Sequence, residues 1–212
     1  MGDLILKPAS SGSLKIQDQA GTNFITTGTS SGLTLDSGVT FPTGHVIQVT
    51  SQPNSYPHAL SGMSSRSSDL AVQSASSVDW ELTLSNVIQG NKILITGMVQ
   101  LSRDSNNGNP AFKLQMKVDS NSYANVALGD ALGSRTRLFG GSRPDEEYHV
   151  QSAAINYLCS PSISGSTGTV KFKIMVSQGS GTARDCLINY TGNNSAEGYT
   201  AISVLTGMEI QV

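Results

Sequence analysis

The chain has 212 residues and a mass of 22.2 kDa, the size of one domain or of one domain with a short appendage. Only 13% of its residues are charged and the net charge is −2, while 49 of the 212 positions are Ser or Thr. This balance excludes a chain kept open by charge repulsion, and it excludes the broad positive field of a general nucleic-acid binder. No run of about 18 apolar residues is present to span a bilayer. The start Met1-Gly-Asp-Leu-Ile-Leu-Lys-Pro lacks the basic-then-apolar order of a secretory signal.

Residues 1–45 carry short apolar pairs about every ten residues: Leu4/Leu6, Leu14/Ile16, Phe24/Ile25, Leu33/Leu35 and Val39/Phe41. Such spacing predicts short strands stacked into a prism or solenoid. Ten apolar side chains cannot offset the entropy of ordering 45 backbones, so partner chains are expected to complete this core. Residues 51–77 are rich in Ser and read as a long loop that carries function or hides a short strand.

From there alternation dominates. Val78, Trp80, Leu82 and Leu84 share one parity, as do Ile93, Ile95, Val99 and Leu101. Phe112, Leu114, Met116 and Val118 alternate with Lys113, Gln115 and Lys117; Val170, Phe172, Ile174 and Val176 alternate with Lys171 and Lys173. At the end, Ile202, Val204, Met208, Ile210 and Val212 fall on one face. A period of two is the signature of strands with one buried face, and no helical period competes with it. Turn-formers at 85–91, 104–110, 177–181 and 191–194 separate the segments.

The expected fold is all-β, with a short repetitive N-terminal shaft over 1–45 and an antiparallel jelly-roll β-sandwich knob over 46–212. Its eight main strands are placed at 46–50, 78–84, 92–102, 112–118, 149–159, 169–177, 184–190 and 199–212. Strict alternation then puts loops 51–77, 103–111, 160–168 and 191–198 at the far tip, and loops 85–91, 119–148 and 178–183 toward the shaft.

The stretches Leu33-Thr-Leu-Asp-Ser-Gly and Phe41-Pro-Thr-Gly-His-Val46 carry a resemblance to fibre proteins of tailed bacteriophages, especially those of marine phages. Further similar segments are Val78-Asp-Trp-Glu-Leu-Thr-Leu, Lys92-Ile-Leu-Ile-Thr-Gly, Tyr157-Leu-Cys-Ser-Pro, Val170-Lys-Phe-Lys-Ile and the ending at Thr200-Ala-Ile-Ser-Val-Leu-Thr-Gly-Met-Glu-Ile. The likeness covers roughly residues 30–212. The chain departs from the family at Ser203-Val-Leu-Thr-Gly and in the 191–198 loop. The resemblance implies a homotrimeric virion fibre, made in the host bacterial cytoplasm. Its knob would be similar to the trimeric jelly rolls of the complement C1q and tumour necrosis factor families. Expected partners are further copies of the chain, other virion proteins at the tail or head, and a host-surface glycan or protein. Nucleic acid and membrane are not among them.

Little in the sequence points to catalysis. His45 lies in the joining stretch, and His149 beside Glu146 and Glu147 makes a weak metal pair. Asp145, Glu146 and Glu147 read as a solvated loop rather than a glycosidase acid pair. No phosphate loop or hydrolase motif occurs, so no enzyme activity, cofactor or metal is expected. Cys159 and Cys186 read as small buried hydrophobes, a disulfide requiring their strands to lie side by side. Recognition is expected of the tip loops, through Arg103, Asp104, Asn106, Asn107 and Asn109 on one and Asn193, Asn194 and Glu197 on another. Amides offer donors and acceptors together, which suits hydroxyl-rich ligands, and threefold repetition adds avidity. The alternative is a structural virion component, a head decoration or tail adaptor, without receptor binding.

Overall fold

The computed structural model describes residues 15–17, 23–27, 33–35, 42–63, 69–104, 109–133, 136–141, 149–178, 184–192 and 198–212. The chain forms two compact units, Met1–Thr43 and Gly44–Val212. In the first, β1 (Lys15–Gln17), β2 (Asn23–Thr27) and β3 (Leu33–Leu35) make an antiparallel meander. Its register opposes Ile16 to Ile25 and Ile25 to Leu35, so three of the apolar pairs read from the sequence meet in one row. Leu4/Leu6 and Val39/Phe41 lie outside the described residues.

The second unit is built from β4 (Val46–Asn54), β5 (His58–Met63), β6 (Leu70–Ala71), β7 (Gln73–Ala75), β8 (Val78–Asp79), β9 (Glu81–Ile88), β10 (Lys92–Arg103), β11 (Pro110–Val118), β12 (Ala124–Val126), β13 (Gly140–Gly141), β14 (Gln151–Cys159), β15 (Thr167–Gln178), β16 (Arg184–Ile188) and β17 (Ser203–Ile210). No helix occurs among the described residues.

The pairings reduce this to eight long strands, four of them interrupted. β4 and β5 run in line along β17 and β16, which are themselves one broken strand on the same edge of β10. β14 takes the other edge of β10, completing a first sheet. In the second sheet β11 pairs β15. The in-line pair β6 and β9 flanks β15, and the in-line pair β12 and β13 flanks β11. Numbered in chain order, the eight composite strands lie 1-8-3-6 in one sheet and 2-7-4-5 in the other. All neighbours are antiparallel. That order is a jelly roll, two Greek keys wrapped face to face.

The core lies between the sheets, with Trp80, Leu82, Leu84, Ile93, Ile95, Phe112, Leu114, Phe172 and Ile174 fully buried. The Trp80 indole donates to the Gln52 carbonyl at 3.2 Å, tying the start of β9 to β4 of the opposite sheet. Gly207 faces the side chains of β9 across the core at short range. A Cβ there would stand 2.7 Å from Leu84 Cδ1.

The expected sandwich is present, but its loops are distributed differently. The chain enters at one end, where Gly44 donates to the Gln211 carbonyl, and the 89–91 turn lies at that end as expected. The 103–111 connection lies at the far end, also as expected. The 160–168 connection, expected at the tip, is at the entry end, because β14 runs from Gln151 beside Leu101 down to Cys159 beside Ile93. The 178–183 connection is correspondingly at the far end. The cause is the composite strand β12–β13, hidden within 119–148: one additional strand inverts the parity of every later loop. β16 ends at Ile188 beside Leu101 and β17 begins at Ser203, so the chain departs from the sheet between them, and residues 193–197 of the 191–198 loop lie outside the described residues. The 51–77 segment holds β5, β6 and β7, so the hidden strand expected there is present.

Candidate functional site

The two outer faces of the sandwich are chemically opposite. On the second sheet, Lys113 pairs with Asp69 at 2.6 Å, Lys171 with Glu81 at 3.0 Å and Lys173 with Asp79 at 3.0 Å. The Tyr123 ring lies between the ammonium groups of Lys117 and Lys173, 5.1 and 4.3 Å from its centroid, and its hydroxyl donates to Glu81. Burial pushes the Glu81 carboxyl up. The Tyr123 hydroxyl and the Lys171 ammonium more than offset this and hold it below the usual range. Such a solvated, charge-paired face needs no cover.

The first sheet carries no charge on its outward side chains, among the described residues, between Lys92 at the entry end and Asp185 at the far end. Its register aligns Val49, Met208, Leu94 and Leu158 in one row and Pro53, Val204, Met98 and Ala154 in another. Between them runs a neutral row of Ser51, Thr206, Thr96 and Asn156. Val49 is 58% exposed, Ile202 53%, Leu158 50%, Met98 43% and Val46 42%. Uncharged surface with this much exposed apolar area is the kind that serves as an interaction face.

The C-terminal strand shows how the face arises. The apolar parity seen in the sequence, Val204, Met208 and Ile210, points outward, whereas Ser203, Leu205, Gly207 and Glu209 point in. Glu209 is fully buried. It accepts from the Ile88 backbone at 2.8 Å, Asn91 Nδ2 at 2.7 Å and Gln48 Nε2 at 2.6 Å. Those three donors fasten the 89–91 turn and β4 to β17.

Toward the far end, where the chain leaves β16 for an excursion before β17, the outward Gln100, Ser102 and Leu187 are buried, and Gly192 lies against Leu187 and the Arg103 backbone. Gly192 permits this close approach: a Cβ there would meet the Arg103 carbonyl at 2.8 Å. The excursion is anchored by Asn189, buried with φ near 66°. Its amide donates to the carbonyls of Asn54 at 2.9 Å and Tyr56 at 3.1 Å, and its Oδ1 accepts from Ser203 at 2.6 Å. Asn and Asp are the side chains best suited to the left-handed region. One residue therefore stitches the breaks in two adjacent composite strands. At the neck, Thr191 donates to the Tyr199 carbonyl at 3.1 Å and Tyr199 donates to Thr191 Oγ1 at 3.0 Å. A cleft of about 340 Å³ opens beside it, lined by Tyr199 and by His149, Val150 and Gln151 at the start of β14.

Of the residues expected to recognise a receptor, Arg103 is buried at the top of β10, Asp104 is exposed beyond it and Asn109 is half-buried before β11. Arg103 thus belongs to the interior of that end rather than to its display. Asn106, Asn107, Asn193, Asn194 and Glu197 lie outside the described residues, as do Asp145, Glu146 and Glu147. Tyr199, Asn189 and Glu209 were not singled out by sequence. A lone aromatic beside Gly198 was the available signal for the first, and a single acid in an apolar strand for the last.

Cys159 and Cys186 are free and buried. They pair with Ile93 and Arg103, at opposite ends of β10 and roughly 30 Å apart, so no disulfide joins them within the chain. Burial pushes the Cys159 thiol up to about 11 and the Cys186 thiol higher still. Among the described residues no cluster of His, Cys, Asp or Glu could hold a metal ion, and no helix is long and apolar enough to cross a membrane.

No protein-family model matches the chain, and no curated protein matches it. Among solved structures it is similar to infectious bursal disease virus, Gx strain, at 10% identity over 86% of this chain and 42% of that one, with a TM-score of 0.38. It is also similar to the VP2 subviral particle of the same virus, at 9% identity over 85% and 45% of the two chains, with a TM-score of 0.37. The chain spans less than half the length of either.

Proposed function

We propose that this protein is a non-catalytic virion fibre that works as a homotrimer. Residues 1–43 would dock it on the particle, and the far end of the jelly roll would meet a glycan or protein of the host surface. The observation that carries this reading is the uncharged, apolar outer face of the first sheet, set against the ion-paired face of the second. A protein that stayed single would have no reason to keep Val49, Met98 and Leu158 half in water. The resemblance of residues 33–46 to phage fibres supports the same reading.

Magnitudes bear on the arrangement. Five side chains each about half exposed represent roughly 4–8 kcal/mol of burial per copy. Association itself costs about 4–15 kcal/mol. The sheet face is therefore sufficient to guide association and insufficient alone to make it tight, and the N-terminal strands must contribute. Sedimentation of the full chain tests this. Three copies of the 22.2 kDa chain per particle are expected, and a folded single copy would overturn the reading. Cryo-EM of purified virions then separates the two roles: density on a tail or head fibre supports recognition, whereas density embedded between capsid subunits supports an assembly role.

A further inference from the structure

We propose that the cleft between Tyr199 and the start of β14 is a saccharide subsite, one pyranose ring stacked on the Tyr199 face. The inference deepens the recognition half of the reading above and rests on it.

Tyr199 is 65% exposed, an aromatic ring held in water at the base of the 189–202 excursion. The excursion is not loosely tethered there. The Thr191–Tyr199 hydrogen bonds, the Tyr190–Thr200 bridge and the Ala201 donation to the Asn189 carbonyl fix both of its limbs. A ring presented from a fixed neck loses little freedom on binding, which is the condition for a weak ligand to bind at all. Across the cleft stand His149, Val150 and Gln151. An amide and an imidazole supply donors and acceptors together, and Val150 and the Tyr199 ring supply apolar walls. A pyranose has this dual character, a face of C–H groups and a rim of hydroxyls. The volume of about 340 Å³ is at the small end for a ligand site and accommodates a sugar ring. Among the described residues, no lysine, arginine, aspartate or glutamate lines the cleft.

The test is saturation-transfer NMR on the full-length protein, with methyl glucoside, methyl galactoside, methyl mannoside and N-acetylglucosamine as separate probes. At least one probe is expected to receive magnetisation. Tyr199→Ala should weaken its binding by about tenfold or more, one well-placed contact, while Tyr199→Phe retains it. Transfer to none of the four probes, or equal binding by Tyr199→Ala, overturns the proposal. Thermal melts verify that both variants fold, which the exposure of the ring favours. Sedimentation of the same samples keeps the two readings apart: a trimer that binds no sugar sinks only the subsite, and a sugar-binding monomer sinks only the trimer.

Discussion

Two side chains illustrate how single residues hold this sandwich. Glu209 is a buried carboxyl group without an ion-pair partner among the described residues, satisfied by three neutral donors. Removing it leaves the Ile88 N–H and the Asn91 amide without this acceptor, each worth about 1–3 kcal/mol when stranded, whereas Gln48 keeps its bond to the Ser85 carbonyl. Glu209→Ala is therefore expected to lower the unfolding free energy by about 2–4 kcal/mol in urea titrations. Glu209→Gln, which still accepts through its carbonyl, should lose less. His58 is only partly buried. Burial pulls its imidazole below the ordinary 6.5, and Nδ1 has no hydrogen-bond partner. The folded protein thus binds this proton less readily than the unfolded chain, and the sign follows. Its stability contribution is whole above about pH 6.5 and is lost as pH falls toward the depressed folded value. The urea midpoint should drop between about pH 7 and about pH 5.5, and His58→Gln should flatten that slope. Glu81, also depressed, acts in a separate window, below its ordinary 4.5.

At the scale of strands, alternation was legible where charge marked the outer parity. Lys113, Gln115 and Lys117 in β11, and Lys171 and Lys173 in β15, left one possible inside, and the core residues of both strands are those read from sequence. In β17 the same rule misled. A period of two states that the faces differ, not which of them turns inward. There the apolar parity lies outside and the inner parity includes Ser203 and Glu209. Short strands left a fainter trace. β12 and β13 together have five residues, two of them the glycines Gly140 and Gly141, too few to establish a period. Missing them inverted the loop assignment for the last third of the chain. Asn189 gave no sequence signal because its work is done by position, at the junction of β16 and the excursion. Asn189→Ala should raise hydrogen exchange across residues 190–201 while β10 and β15 remain protected, since the strands on either side retain their own ladders.

For the whole molecule, the asymmetry between the two outer faces makes a directional prediction. A lysine placed on the neutral face must be desolvated if copies meet there, whereas the charged face already pairs its lysines with carboxylates. Met208→Lys or Leu158→Lys is expected to dissociate the proposed trimer in sedimentation experiments. Lys171→Ala on the opposite face should leave it intact. Equal behaviour of the two sets would place the contact elsewhere.

Half of the eight composite strands are broken and then resumed along the same line: at 55–57, at the 73–79 hairpin, at 127–139 and at 189–202. After each gap the backbone pairs again with the same neighbouring strand, so the ladder itself does not set the length of the insert. Such a scaffold can exchange these inserts like cassettes, lengthening one or rewriting its sequence, without renegotiating its framework. Whatever the molecule touches can thus drift rapidly while the body that carries it stays the same.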